Sequence, residues 1–217
     1  MAIRLYCFGE SGNAYKAALT LQLAGMDWQP VYVDFFNGGA KTDEFLALNP
    51  MGEVPVMECG DLVLAQSGII QRYVIEQTGR FGGNSPEDDR EIWRWVLWDN
   101  HKLSSLNGIC RFLNNFLPEE KRPREVIGWL QGRLTNSYSV LENRLQQSDW
   151  LVGDQLTVAD ISCCGYLYYP EPFGFDPKDW PAVGRWLNRL ASQPHWKHPY
   201  DLMPGHPSDR GIIIGDQ

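Results

Sequence analysis

The chain has 217 residues, 43% of them hydrophobic and 21% charged, which is the composition of an ordinary globular protein of one large domain or two modest ones. No apolar run approaches the ~20 residues of a membrane helix, and the opening MAIRLYCFGES has no basic region followed by an apolar stretch, so neither a membrane anchor nor a secretory signal is expected. A net charge of -8 and a pI of about 5.0 argue against nucleic acid as a partner, and an anionic ligand would need positive potential supplied locally.

The first 79 residues alternate strand and helix patterns. IRLYCF (3–8) reads as a strand. GNAYKAALTLQLAG (12–25) has helical composition and ends on Gly25, a natural left-handed C-terminal residue. WQPVYVDF (28–35) is a second strand with Pro30 near its start, and a short helix is expected around 42–48. A hairpin over 54–64 turns at Gly60-Asp61. The helix SGIIQRYVIEQTG then closes at Gly79, which makes the order βαβαββα.

RFGGNSPED (80–88) reads as a linker that also starts a helix. Ser85 can cap it, Pro86 suits the first helical position, and Asp88 sits at the capping-box position. The helical pattern runs from there to Phe116. A second helix, 123–147, carries Val126, Ile127, Leu130, Leu134, Tyr138, Leu141 and Leu145 three to four apart. In DQLTVADIS (154–162), Thr157 and Asp160 have capping-box spacing, with Leu156 and Ile161 at the staple positions. A last helix starts at Pro181 and stops before Pro194. The chain thus divides into an α/β region, 1–79, and an all-α region, 86–217, with Ile212–Ile214 in an irregular tail.

Five cysteines (7, 59, 110, 163 and 164) and no C-x-x-C fit free thiols in a reducing cytoplasm. Adjacent Cys163 and Cys164 read as small core residues. His195 and His198 stand between prolines with no third ligand near, so no metal is expected.

Pro55 is the anomaly, since a proline cannot donate to a strand ladder. A βαβ unit and a ββα unit with an X-Pro before the third strand have the layout of a thioredoxin-like domain. Joined to an all-α domain, and carrying NPMGEVP (49–55), AQS (65–67), SGNAYK (11–16) and LTVAD (156–160) in this order, the chain resembles the cytosolic glutathione transferases over nearly its whole length. The resemblance implies glutathione as co-substrate, no metal, a cytoplasmic homodimer and detoxification chemistry.

It also implies a cis Val54-Pro55 bond that turns the Val54 backbone outward to pair with the cysteinyl residue as an added strand. Gln66 and Ser67, opening a helix whose N–H groups and dipole favour an anion, would take the γ-glutamyl end. Glu53 and Lys41 complete the glutathione set, with Lys41 toward the glycine carboxylate.

A free thiol of pKa ≈ 8.5 is only ~3% ionised at neutral pH. Lowering that pKa by ~2 raises the thiolate roughly 25-fold, but the accompanying loss of nucleophilicity leaves only about a three-fold gain. Most of the rate must come from holding the electrophile against the sulfur. The thiolate donor is expected at the N-terminus of the first helix, as Ser11, with Asn13 as second donor or alternative. Ser11 stands five residues before Lys16, matching the Ser…Arg spacing of the zeta-like branch with Lys as a departure. Tyr6, inside the first strand, ranks below both.

The all-α region would supply the electrophile site from the first long helix and the 166–175 segment, with Trp98, His101, Ser105, Leu106, Tyr166, Tyr169 and Phe173 as lining. Within the family the reaction stays open among conjugation, isomerisation, lysis and dehalogenation, or a non-catalytic binding role.

Overall fold

The computed structural model describes residues 2–207, which fall into two compact units. The first comprises residues 2–80 together with 194–207, and the second spans Phe81–Gln193.

The first unit is built on a four-stranded mixed sheet in the order β2-β1-β3-β4: β1 (Ile3–Cys7), β2 (Trp28–Tyr32), β3 (Val56–Cys59) and β4 (Leu62–Ala65). β1 and β2 are parallel, and β1 with β3 and β3 with β4 are antiparallel. Pro30 is tolerated because β2 is an edge strand. The second strand ends three residues sooner than the sequence suggests, because Gly39 N–H folds back to the Asp34 carbonyl at 2.7 Å and a 3-10 turn takes Phe35–Asn37.

α1 (Gly12–Ala24) buries nearly every residue and packs beside α3 (Ser67–Thr78). α2 (Asp43–Leu48) joins an apolar cluster of Val33, Ala40, Phe45 and Val56, against which Tyr6, Leu48, Val54 and Ala65 pack.

The last described residues correct the division read from sequence, which placed everything from Pro86 to the C-terminus in the helical region. From Pro194 the chain returns to the first unit. Tyr15 Oη donates to the Lys197 carbonyl (2.9 Å), Gly9 N–H donates to Pro204 O (2.6 Å), and the short α9 (Pro199–Leu202) packs on α1. Pro194 follows closely on the end of the preceding helix, and Pro199 opens a new short one at its first position, so the helical course is interrupted between them. The Ile212–Ile214 run lies outside the described residues.

The second unit is all-helical: α4 (Pro86–Trp98), α5 (Ser104–Asn115), α6 (Arg124–Leu145), α7 (Val158–Cys163) and α8 (Pro181–Ala191). Ser85 Oγ accepts from Asp88 N–H at 3.1 Å, as its capping position requires. The helix expected to run unbroken to Phe116 is divided by a π-helical stretch, Asp99–Leu103. The physical reason is a buried carboxylate, Asp99, that takes hydroxyl donors from Ser104 on its own helix (2.7 Å) and from Ser162 on α7 (2.6 Å).

Candidate functional site

The strand register gathers the sequence-predicted glutathione residues at one end of the first unit's sheet. Tyr6 pairs with Val56, and Val56 with Ala65. The exit of β1 toward Ser11, the entry of β3 from Val54-Pro55 and the exit of β4 toward Gln66 and Ser67 therefore lie side by side. The Val54-Pro55 bond is cis. β3 begins only at Val56, so the Val54 N–H and C=O lie outside the ladder on a half-buried residue.

Side chains tie the 49–53 loop to its neighbours. Buried Asn49 donates through Nδ2 to the Glu53 carbonyl (2.8 Å) and accepts through Oδ1 from Met51 N–H (3.2 Å). Lys41 Nζ, on an exposed residue, donates to the Gly52 carbonyl at 3.1 Å. Gln66 Nε2 reaches Met51 Sδ at 3.4 Å. Lys41 and Gln66 thus each reach the loop that leads through Glu53 to Val54 and Pro55. The sequence reading gave Asn49 no role, although an Asn-Pro pair opening a tight loop signals a side chain that bonds its own backbone.

The N-termini of the two helices differ. At α1, Ser11 Oγ accepts from Ala14 N–H at 3.1 Å and so caps the helix. A hydroxyl that accepts once still has its proton to donate. Ser11 is 7% exposed. Asn13, on the first turn of the same helix, is half-buried, and its Oδ1 is buried without a hydrogen-bond partner. At α3 the N-cap residue is Gln66, whose side chain makes no capping bond, and Ser67 behind it is buried.

Gln66 also has φ 72° and ψ 123°, a region that non-glycine residues avoid at a cost of roughly 1–3 kcal/mol. No residue type in the sequence announces that conformation. Tyr6 is turned elsewhere: its Oη donates to Glu58 Oε2 at 2.7 Å, and burial together with that carboxylate raises its pKa. Burial pushes the Cys7 thiol up to about 12.

The electrophile residues proposed from sequence lie in the second unit in different settings. Trp98 stacks edge-on with Trp95 at 5.3 Å and lines a cavity of about 340 Å³ with Lys102, Leu106, Arg133, Asn136, Ser137 and Val140. His101 is exposed, and Ser105 Oγ donates to its carbonyl at 2.8 Å. Tyr166 and Tyr169 are buried with ring centroids 6.0 Å apart and do not line that cavity. The Arg111 guanidinium lies 3.9 Å over the Tyr169 ring while bridging Glu171 at 2.9 Å. Phe173 is buried, with its carbonyl accepting from Cys110 Sγ.

Comparison with known proteins agrees with this arrangement. Residues 1–76 match the domain family described as glutathione S-transferase, N-terminal domain, and residues 109–194 match glutathione S-transferase, C-terminal domain. The chain is 30% identical over 199 residues to the disulfide-bond oxidoreductase YfcG of Escherichia coli, covering 88% of this chain and 91% of that one. It is 29% identical over 197 residues to glutathione S-transferase GstB of the same organism, covering 88% and 94%. A glutathione S-transferase crystal structure from Pseudomonas fluorescens superposes with a TM-score of 0.85 at 29% identity, over 92% of this chain and 99% of that one. The fold, the paired domain matches and these relatives agree, and the chain belongs to the cytosolic glutathione transferase family.

Proposed function

We propose that the protein conjugates glutathione to small apolar or aromatic electrophiles. The observation that carries this reading is the N-terminus of α3. It offers backbone N–H groups with no side-chain cap and a buried serine, beside a cis-proline loop whose Val54 backbone stands outside the sheet. A γ-glutamyl carboxylate completes that helix end on the Ser67 hydroxyl and N–H, with Gln66 on the same moiety. The cysteinyl residue pairs with Val54 as an added strand. Glu53 and Lys41 flank the peptide, Lys41 toward the glycine carboxylate.

The sulfur then faces α1, where the Ser11 hydroxyl donates to the thiolate and the Asn13 amide is the second donor. The helix dipole adds to both. Trp98, His101, Ser105, Tyr166 and Tyr169 supply the electrophile site from the helical unit. The protein acts as a homodimer in the cytoplasm, a compartment that suits five free cysteines.

Likeness to YfcG favours one second reading, reduction of disulfides. Here that chemistry would have to run between glutathione molecules, because position 11 carries no sulfur and Cys7 is buried with a raised pKa. Isomerase, lyase and dehalogenase reactions share the thiolate step. A test is retention on immobilised glutathione followed by turnover of an aryl halide and of a glutathione-reducible disulfide. Retention with aryl halide turnover is the expected result. Retention with disulfide turnover alone supports the second reading, and no binding of glutathione by calorimetry overturns both.

A further inference from the structure

We infer that residues 194–207 form a strap that positions Ser11, with Tyr200, Pro204 and Gly205 acting as positioning residues through Gly9. The inference rests on the reading of Ser11 as thiolate donor. Ser11 ends a tight turn, Phe8–Ser11, closed by one internal bond from Ser11 N–H to the Phe8 carbonyl (3.1 Å). The second residue of that turn is held from outside: Gly9 N–H donates to Pro204 O at 2.6 Å. The approach is close enough that a side chain would have to push its neighbours aside. A Cβ on Gly9 would lie 3.0 Å from the Gly205 carbonyl oxygen, 3.1 Å from the Tyr200 ring and 3.3 Å from Pro204 O.

The strap is seated at both ends of the loop it touches. Gly205 has φ +90°, and a Cβ there would come within 2.6 Å of the Tyr32 ring at the end of β2. On the other side of Ser11, fully buried Tyr15 on α1 donates through Oη to the Lys197 carbonyl at 2.9 Å. The Tyr200 ring is itself packed between His198 and His206, with centroids 5.6 and 4.8 Å away. His198 Nδ1 fixes the short helix by accepting from Tyr200 N–H. Pro199, Leu202 and Met203 are buried beneath. Chain positions before and after Ser11 are therefore gripped by one returning segment.

A hydroxyl that must meet a sulfur at hydrogen-bond distance is sensitive to such placement, since a hydrogen bond weakens steeply as its distance and angle leave their optimum. Among the described residues, those proposed to hold the peptide itself, Val54, Gln66 and Ser67, make no hydrogen bond to the strap. Loosening it should impair thiolate stabilisation and spare glutathione affinity, whereas a segment that only adds stability would lower the melting temperature and leave the thiol unperturbed.

The experiment compares Gly205→Ala and Tyr200→Ala in the full chain with wild type and Ser11→Ala. Gly153→Ala is the control, a left-handed glycine of the second unit (φ +64°) with open space where its Cβ would go. The readouts are the glutathione dissociation constant by calorimetry and the pH dependence of kcat at saturating glutathione with an aryl halide. In the strap variants the dissociation constant should stay within about two-fold, while kcat at neutral pH falls by no more than the roughly three-fold that thiolate activation is worth and the pH midpoint moves upward in the same sense as in Ser11→Ala. Gly153→Ala should keep the wild-type midpoint. If Gly205→Ala does not fold, Tyr200→Ala gives the same readout without a strained backbone. Strap variants that keep the wild-type midpoint while Ser11→Ala shifts it overturn the strap and leave the donor standing. An unshifted midpoint in Ser11→Ala removes the donor assignment and the positioning role with it.

Discussion

At the scale of single residues, the site holds groups whose local preferences are left unmet. Gln66 occupies a left-handed conformation that a glycine would take without strain. Gln66→Gly is expected to stabilise the fold by roughly 1 kcal/mol and to weaken glutathione binding. A melting scan and a titration on the same sample check both. Ser67→Ala should weaken binding more than Gln66→Ala. Losing a charge-assisted bond to a carboxylate costs about 1.5–3 kcal/mol, or roughly ten-fold to over a hundred-fold in affinity. Unchanged affinity in both variants would contradict the γ-glutamyl assignment. Ser11→Cys places a thiol at a helix N-terminus, where cysteine pKa values fall. With oxidised glutathione it should form a mixed disulfide, gaining about 305 Da, lose conjugating activity and gain thiol transferase activity. Mass spectrometry decides it: a clean adduct on Asn13→Cys and none at position 11 would make Asn13 the residue that faces the sulfur.

At the scale of elements, two further buried carboxylates organise the helical unit alongside Asp99. Asp160 accepts through Oδ2 from the Thr157 N–H (3.0 Å) and hydroxyl (3.1 Å), closing the capping box of α7. Through Oδ1 it also accepts from Leu151 N–H and Trp186 Nε1, both at 2.9 Å. Asp160→Ala would strand these buried donors, so its cost should exceed a simple cap loss and reach roughly 3 kcal/mol, with the Michaelis constant for glutathione nearly unchanged. Burial pushes the Asp160 carboxyl from its ordinary 3.8 up to about 6, against the pull of its hydrogen bonds. A carboxyl whose folded pKa is raised contributes stability that is complete below the unfolded pKa and is lost as pH rises through the folded one. Lowering the pH from about 7 to about 5 should therefore widen the stability gap between wild type and Asp160→Asn by roughly 1 kcal/mol. A gap that narrows over that range would reverse the sign argued here. Glu142 on α6 plays a related part for α8, accepting from Ala182 N–H at 3.0 and 3.1 Å and from Val183 N–H at 3.1 Å. That cap comes from a helix forty residues away and has no sequence signature.

At the scale of the whole molecule, the proposed homodimer should have twice the 24.8 kDa chain mass at micromolar concentration, and light scattering showing a single chain there would remove it. The sequence by itself determined the element order, because hydrophobic period, the left-handed glycines 25 and 79, and the capping pairs at Ser85 and Thr157 are local signals. It also marked Pro55 and the Gln66-Ser67 pair, because a proline at the head of a strand and a polar pair opening a helix stand out against the pattern around them, whereas Ser11 and the roles of all three were implied by the family resemblance. Only the tertiary structure decided the rest. The π-helical break at Asp99 depends on a hydroxyl from Ser162, the strain at Gln66 depends on how β4 meets α3, and the return of residues 194–207 to Gly9 and Tyr15 depends on contacts some 180 to 195 residues apart. Long-range pairings of this kind arise from buried polar groups seeking partners and from backbone close approach, and neither leaves a periodic mark on the chain that makes it.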